Sequence, residues 1–193
     1  MEKLIYSILE DNIRIKREFV RNNVANIIFL AKKIAEAFSK DNKVLLCGNG
    51  GSAADAQHIA AEFVNKFRIE RTPLPAIALT TDTSIITSIA NDYSFAQVFS
   101  KQVKAIGKPG DVLVAISTSG NSENIIQAVR TAHDMGIYTA AFTGRDGGRL
   151  SRIVDMPMIV KSDDTPRIQE VHIMAAHMIC FLVDHILFER DLY

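Results

Sequence analysis

Residues 112–122 read VLVAISTSGNS. The five apolar residues 112–116 carry no charge and are too short for a helix, which marks a buried strand. Ser117, Thr118, Ser119 and Ser122 then crowd four hydroxyls into six positions, with Gly120 among them. Residues 121–135 have helical spacing and stop at Gly136. The stretch is therefore strand, hydroxyl-rich loop, helix. A helix N-terminus offers unpaired N–H groups and a partial positive charge. One or two hydroxyls would serve as an N-cap, and four exceed that need. The loop holds no Lys or Arg, which suits one phosphate monoester better than a triphosphate with magnesium.

The same pattern recurs upstream. Residues 43–47, KVLLC, make a strand, 48–53 read GNGGSA, and a helix runs over 52–65. The loop fits G-x-G-x-x-A, the dinucleotide fingerprint, but Asp82 lies about 30 residues on where that motif wants an acid at ~20. The chain also leaves no room for a separate catalytic domain, and no G-K-[ST] of a phosphate-binding P-loop is present. No nucleotide cofactor is expected. Backbone approach to a small polyhydroxy ligand, with Asn49, Gly50, Gly51 and Ser52 at hand, fits better.

Further strands are expected at 76–79, 138–142 and 156–160, and helices at 83–90, 95–106 and 167–188. Two more helices, 1–20 and 23–39, form an N-terminal helical pair. Strands alternating with helices predict an α/β fold, a three-layer αβα sandwich on a five-stranded parallel sheet. Ligands then bind beyond the carboxyl ends of the strands, where both unusual loops fall.

The 193 residues suffice for one core, since a chain this long buries roughly 70% of its unfolded surface. Lys+Arg and Asp+Glu are both 22, for zero net charge. That argues against a nucleic-acid or anionic-membrane surface. Residues 173–183 are the most apolar stretch, broken by His177 and short of the ~20 residues a membrane span needs; they read as a buried helix. The charged first twenty residues do not resemble a signal peptide, and Cys47 and Cys180 sit in apolar runs as reduced thiols would. A cytoplasmic protein follows as the expectation. With no repeat or linker in view, residues 1–193 read as a single domain.

Two helices carry candidate chemistry. In QHIAAEF, His58 and Glu62 are four apart and share a face. In RIQEVHIMAAHMICF, Gln169 and His177 are eight apart, about 80° around the helix and ~12 Å along it. A carboxylate with an imidazole in apolar surroundings suits proton transfer beside a carbonyl. A solvated glutamate and a core histidine explain the same residues equally well.

Five segments, LLCGNGGSAADAQHIAAEFVNKF (45–67), TSIANDYSFAQVF (87–99), AISTSGNSENI (115–125), TGRDGG (143–148) and RIQEVHIMAAHMICFLVD (167–184), together resemble the phosphoheptose isomerases of the sugar isomerase (SIS) fold family. The resemblance runs from about Leu45 to Asp184; residues 1–40 match only as helices, an extension suited to oligomerisation. It implies an aldose–ketose isomerase that converts sedoheptulose 7-phosphate to D-glycero-D-manno-heptose 7-phosphate through an enediol(ate), toward bacterial lipopolysaccharide. It implies Glu62 as base and His177 as acid. Ser117, Thr118, Ser119 and Ser122 would lie on the phosphate, and Asn49, Gly50, Gly51, Asn91, Asp92 and Gln169 on the sugar. It further implies a zinc ion held by His58, Glu62, Gln169 and His177, and a homotetramer with sites at subunit interfaces. The spacing of Gln169 and His177 requires them to lean together over such a metal, or ligands to come from two subunits. The alternative is a non-catalytic SIS adaptor that binds the replication initiator DnaA and lacks the residues equivalent to Glu62 and His177.

Overall fold

The computed structural model describes residues 1–188. Five short apolar runs form one all-parallel sheet: β1 (Val44–Gly48), β2 (Ala76–Ala78), β3 (Val112–Ser117), β4 (Tyr138–Gly144) and β5 (Met156–Val160), in the order β2-β1-β3-β4-β5. β1, β3 and the last six positions of β4, from Thr139 on, are buried, as expected of strands covered on both faces. The order reverses between β1 and β3, which pair from Val44↔Val112 to Gly48↔Ile116. A crevice opens at such a reversal, beyond the carboxyl ends of the two strands. GNGGSA leaves β1 and STSGNS leaves β3, so the sheet order itself brings the two loops side by side.

Six helices cover the sheet: α1 (Glu2–Ser39), α2 (Gly51–Val64), α3 (Thr83–Asp92), α4 (Val98–Ile106), α5 (Glu123–Asp134) and α6 (Thr165–Phe188). Alternate residues of the central strands β1, β3 and β4 enter opposite cores. Val44, Leu46, Val112 and Val114 pack with α1, α2 and α6. Leu45, Cys47, Leu113 and Ala115 pack with α4 and α5. This is the expected αβα sandwich. Cys47 and Cys180 are free and buried, and burial pushes the Cys47 thiol up to about 12.

The N-terminal helical pair is corrected to one helix. No Gly or Pro interrupts residues 2–39. Buried Asn23, the expected start of the second helix, donates to the Phe19 carbonyl four residues back, 2.9 Å away, and so bridges the expected break. Its amide is thereby spent inside the helix rather than on a turn. The helix ends where Asp41 takes a left-handed φ of 56°. The expected helix 95–106 begins as a 3-10 turn, Phe95–Gln97, before α4.

Among the described residues α6 is long and apolar enough to cross a membrane by length and composition. It packs instead on α1, α2 and β4, burying Ile168, Val171, Ala175, Ile179 and Val183. At the amino ends of β1 and β3, away from the two loops, the Asp111 carboxylate accepts from the Lys43 ammonium (2.6 Å), the Lys43 and Lys108 amides and Asn42. Burial alone would raise its pKa; these donors outweigh burial and hold it below the usual carboxylate range.

Candidate active site

The glycine loop is shaped by backbone need. Gly50 caps α2 with φ 56° and ψ −123°, a region that residues with a Cβ rarely enter. Nothing lies within 4 Å of where its Cβ would stand, so the loop is open there. A Cβ on Gly51 would occupy the space of the Gln169 side-chain amide. Gln169, on the first turns of α6, therefore lies on the start of α2. Ser52 is buried. Asn49 exchanges two 2.9 Å amide hydrogen bonds with Asn124 of α5, tying the two loops together.

In the second loop Ser122 occupies the N-cap of α5, yet its side chain makes no cap bond. Its hydroxyl faces that of Ser117 at 3.1 Å. The two hydroxyls converge before a twelve-residue helix, and neither is spent on ending it. Ser119 accepts from the Asn121 amide. Glu123, in the first turn, faces Arg149 at 2.9 Å, and that hydrogen bond leads the effects that hold its carboxyl below the usual range.

The TGRDGG segment forms the wall behind this loop. The Gly144 amide donates to Thr118 O and the Leu150 amide to Gly120 O. Gly120, Gly147 and Gly148 all have positive φ, and a Cβ on Gly120 would overlap the Gly147 carbonyl. The glycines allow two backbones to touch.

His58 and Glu62 project from one face of α2, as their spacing predicts. His58 Nε2 lies 2.9 Å from Glu62 Oε1, and His177 Nε2 of α6 lies 3.3 Å from His58 Nε2. Ligand atoms of the three fall within 4.8 Å of one another. Tetrahedral zinc with bonds of ~2.0–2.1 Å would set neighbouring ligand atoms about 3.3 Å apart. The donor set, two imidazole nitrogens and one carboxylate, also fits that metal. Burial first, then His58, lowers the His177 pKa, against the opposing pull of Glu62; a neutral imidazole is the ligating form.

Asn91 and Asp92, at the end of α3, are exposed and bonded to each other at 2.9 Å. The three remaining groups, the glycine loop with Gln169, the hydroxyl loop, and the His58–Glu62–His177 cluster, are assembled by α2, α5 and α6. Asn124 was missed, although its place directly after STSGNSE was a usable signal. Arg71 was also missed: its guanidinium, 1% exposed, binds the last carbonyls of α2 and Asp184 of α6. No local pattern announces a pair 113 residues apart.

The arrangement is that of a SIS domain, and the family model for the SIS domain matches residues 9–144. A phosphoheptose isomerase of Aquifex aeolicus is 52% identical over 191 residues, 99% of this chain and 100% of its own. One from Roseiflexus sp. is 53% identical over 182 residues, 94% of this chain and 92% of its own. The structure of a phosphoheptose isomerase from Neisseria gonorrhoeae superposes with a TM-score of 0.89 at 45% identity, covering 95% of this chain and 98% of that one. The counterpart from Francisella tularensis gives 0.91 at 41% identity, covering 95% and 97%. The chain belongs to the phosphoheptose isomerases, an enzyme family within the SIS fold.

Proposed function

We propose that this enzyme interconverts sedoheptulose 7-phosphate and D-glycero-D-manno-heptose 7-phosphate by proton transfer between C1 and C2. The observation that carries the reading is the Glu62 carboxylate and the His177 imidazole gathered about His58. Ser117, Thr118, Ser119 and Ser122 hold the 7-phosphate at the N-terminus of α5. Asn49, Gly50, Gly51, Ser52 and Gln169 meet the sugar, with Asn91 and Asp92 closing on it. Glu62 takes the proton from the carbon beside the carbonyl and returns it to the neighbouring carbon. His177 supplies a proton to the C2 oxygen, giving an enediol(ate) between the two forms, and takes back the proton of the C1 hydroxyl as the aldehyde forms. A carboxylate has two oxygens: with one directed at His58, the other is left for the proton.

His58, Glu62 and His177, with Gln169 as a fourth donor, would hold a zinc ion, whose chemistry when bound is to polarise the sugar carbonyl. The apolar groove between α1 and α6, 730 Å³ in volume, reaches His177 and is lined by Val24, Ile28, Phe67, Met174 and Phe181. α1 also exposes Leu4, Ile5, Ile8 and Leu9. These faces favour a homotetramer whose subunits complete one another's sites, with residues 1–193 as one SIS domain and α1 its oligomerising extension. The enzyme works in the cytoplasm, and its product feeds bacterial lipopolysaccharide precursors. No observation favours the DnaA-adaptor reading, whose signature is loss of Glu62 and His177.

The test is turnover of sedoheptulose 7-phosphate by the purified protein, with unphosphorylated sedoheptulose beside it. The phosphorylated ketose is converted to the aldose and the free sugar is not. No conversion of either contradicts the reading.

A further inference from the structure

The guanidinium of Arg71 is buried between the two helices that carry the histidine–glutamate cluster. Its Nη2 donates to the Glu62 carbonyl at 2.9 Å, and its Nη1 to the carbonyls of Phe63 (2.8 Å) and Asn65 (3.1 Å). Glu62 and Phe63 lie in the last turn of α2 and Asn65 is its C-cap; carbonyls at a helix C-terminus have no partner within the helix. α2 has no basic residue in its own last turn, so the charge that favours a helix C-terminus comes from Arg71. Its Nε donates to Asp184 Oδ1 at 2.7 Å, with the two side chains 1% and 4% exposed. Asp184 lies seven residues after His177, two helical turns on and on the same side of α6. One planar fork thus grips the backbone of Glu62 and, through Asp184, the helix of His177.

We propose that Arg71 and Asp184 are positioning residues that hold α2 and α6 in register, so that His58 and Glu62 meet His177 at ligand distance; this rests on the proposed role of that cluster. Lys cannot replace Arg here. An ammonium can pair with Asp184 but cannot span the carboxylate and several carbonyls in one plane. Loss of the fork lets the helices shift, which loosens the cluster while leaving the phosphate loop on α5 untouched.

The test compares the parent protein with Arg71→Lys, Asp184→Asn and Asp111→Asn, each full-length and kept well below its melting temperature as judged by circular dichroism. Asp111→Asn loosens the amino ends of β1 and β3, away from the cluster, and controls for loss of stability alone. Zinc affinity is measured by competition with a chelating dye, and kcat and KM for sedoheptulose 7-phosphate on the same preparations. Arg71→Lys and Asp184→Asn each lose about tenfold or more in zinc affinity and in kcat, the size expected for groups that orient ligands. KM stays within about threefold of the parent, and Asp111→Asn retains the parental zinc affinity. Parental zinc affinity in Arg71→Lys, or an equal loss in Asp111→Asn, overturns the proposal. If the parent turns over no sugar phosphate, the proposed function fails, and the zinc measurement alone decides the role of Arg71.

Discussion

His177 Nε2 stands 3.3 Å from His58 Nε2, across the interface between α6 and α2. Two imidazole nitrogens at that distance are either joined by a single shared proton or directed at one cation. The nearby Glu62 carboxylate, 2.9 Å from the same His58 nitrogen, favours the second. His58→Ala therefore lowers zinc content per subunit and reduces turnover. Acid releases the metal as the imidazoles protonate. Elemental analysis before and after chelation checks this; a metal-free parent of full activity would leave His58 a packing residue.

The hydroxyl loop makes a separable prediction. Ser122 is free of capping duty and faces Ser117. Ser119→Ala with Ser122→Ala raises KM strongly, each lost hydrogen bond to a charged oxygen costing about 1.5–3 kcal/mol. Inorganic phosphate competes with substrate in the parent and much less in the double variant. An unchanged KM contradicts the assignment.

Stability depends on pH through His172. This residue is buried on α6 and donates through Nε2 to the Thr143 carbonyl at 3.1 Å. Burial lowers its pKa to about 4, against 6.5 for a free histidine, with the Thr143 bond opposing. Between those values the unfolded chain takes up a proton and the folded chain does not. The stabilisation is complete above pH 6.5 and is lost as pH falls toward 4, by roughly 3 kcal/mol. His172→Gln keeps a donor at the Nε2 position and does not titrate. Denaturant unfolding at several pH values should show a shallower slope for that variant; identical slopes would remove His172 as the cause.

Much of this could be read along the chain. Strands bounded by Gly and Ser, and loops with more hydroxyls than a cap needs, are local signals, and the sheet put both loops where the alternation of strands and helices implied. The single α1 was not legible, because the polar residues Arg21 and Asn22 look like a break until Asn23 is seen bonded to Phe19 O within the helix. The His58–Glu62 pair was legible from its spacing, since one helix sets it. The approach of His177 was not, because it depends on how α6 crosses α2. The Arg71–Asp184 pair is a tertiary contact with no period, and TGRDGG showed its role only once Gly120 and Gly147 were seen back to back.

The proposed homotetramer rests on the exposed apolar face of α1 and the groove it forms with α6. Light scattering at micromolar concentration gives a mass near four chains. Ile28→Asp with Phe181→Asp, in that groove, lowers the mass and the activity together. An active monomer that resists dilution would contradict shared sites.

The central claim is that Glu62 moves the proton, and Glu62→Gln tests it most directly. The variant keeps size and one oxygen but loses the acceptor. General-base catalysis is worth ~10²–10⁴-fold, so kcat falls by about that factor, while the sugar phosphate still binds through the α5 loop. Zinc content, ligand affinity and turnover are read on one preparation, so that metal loss is not mistaken for loss of the base. The deciding measurement is wash-in of solvent deuterium at the carbon beside the carbonyl, which requires a base and an enediol. The account predicts exchange in the parent and its loss in a metal-replete Glu62→Gln that still binds sedoheptulose 7-phosphate. Exchange and turnover at the parental rate in that variant would contradict it.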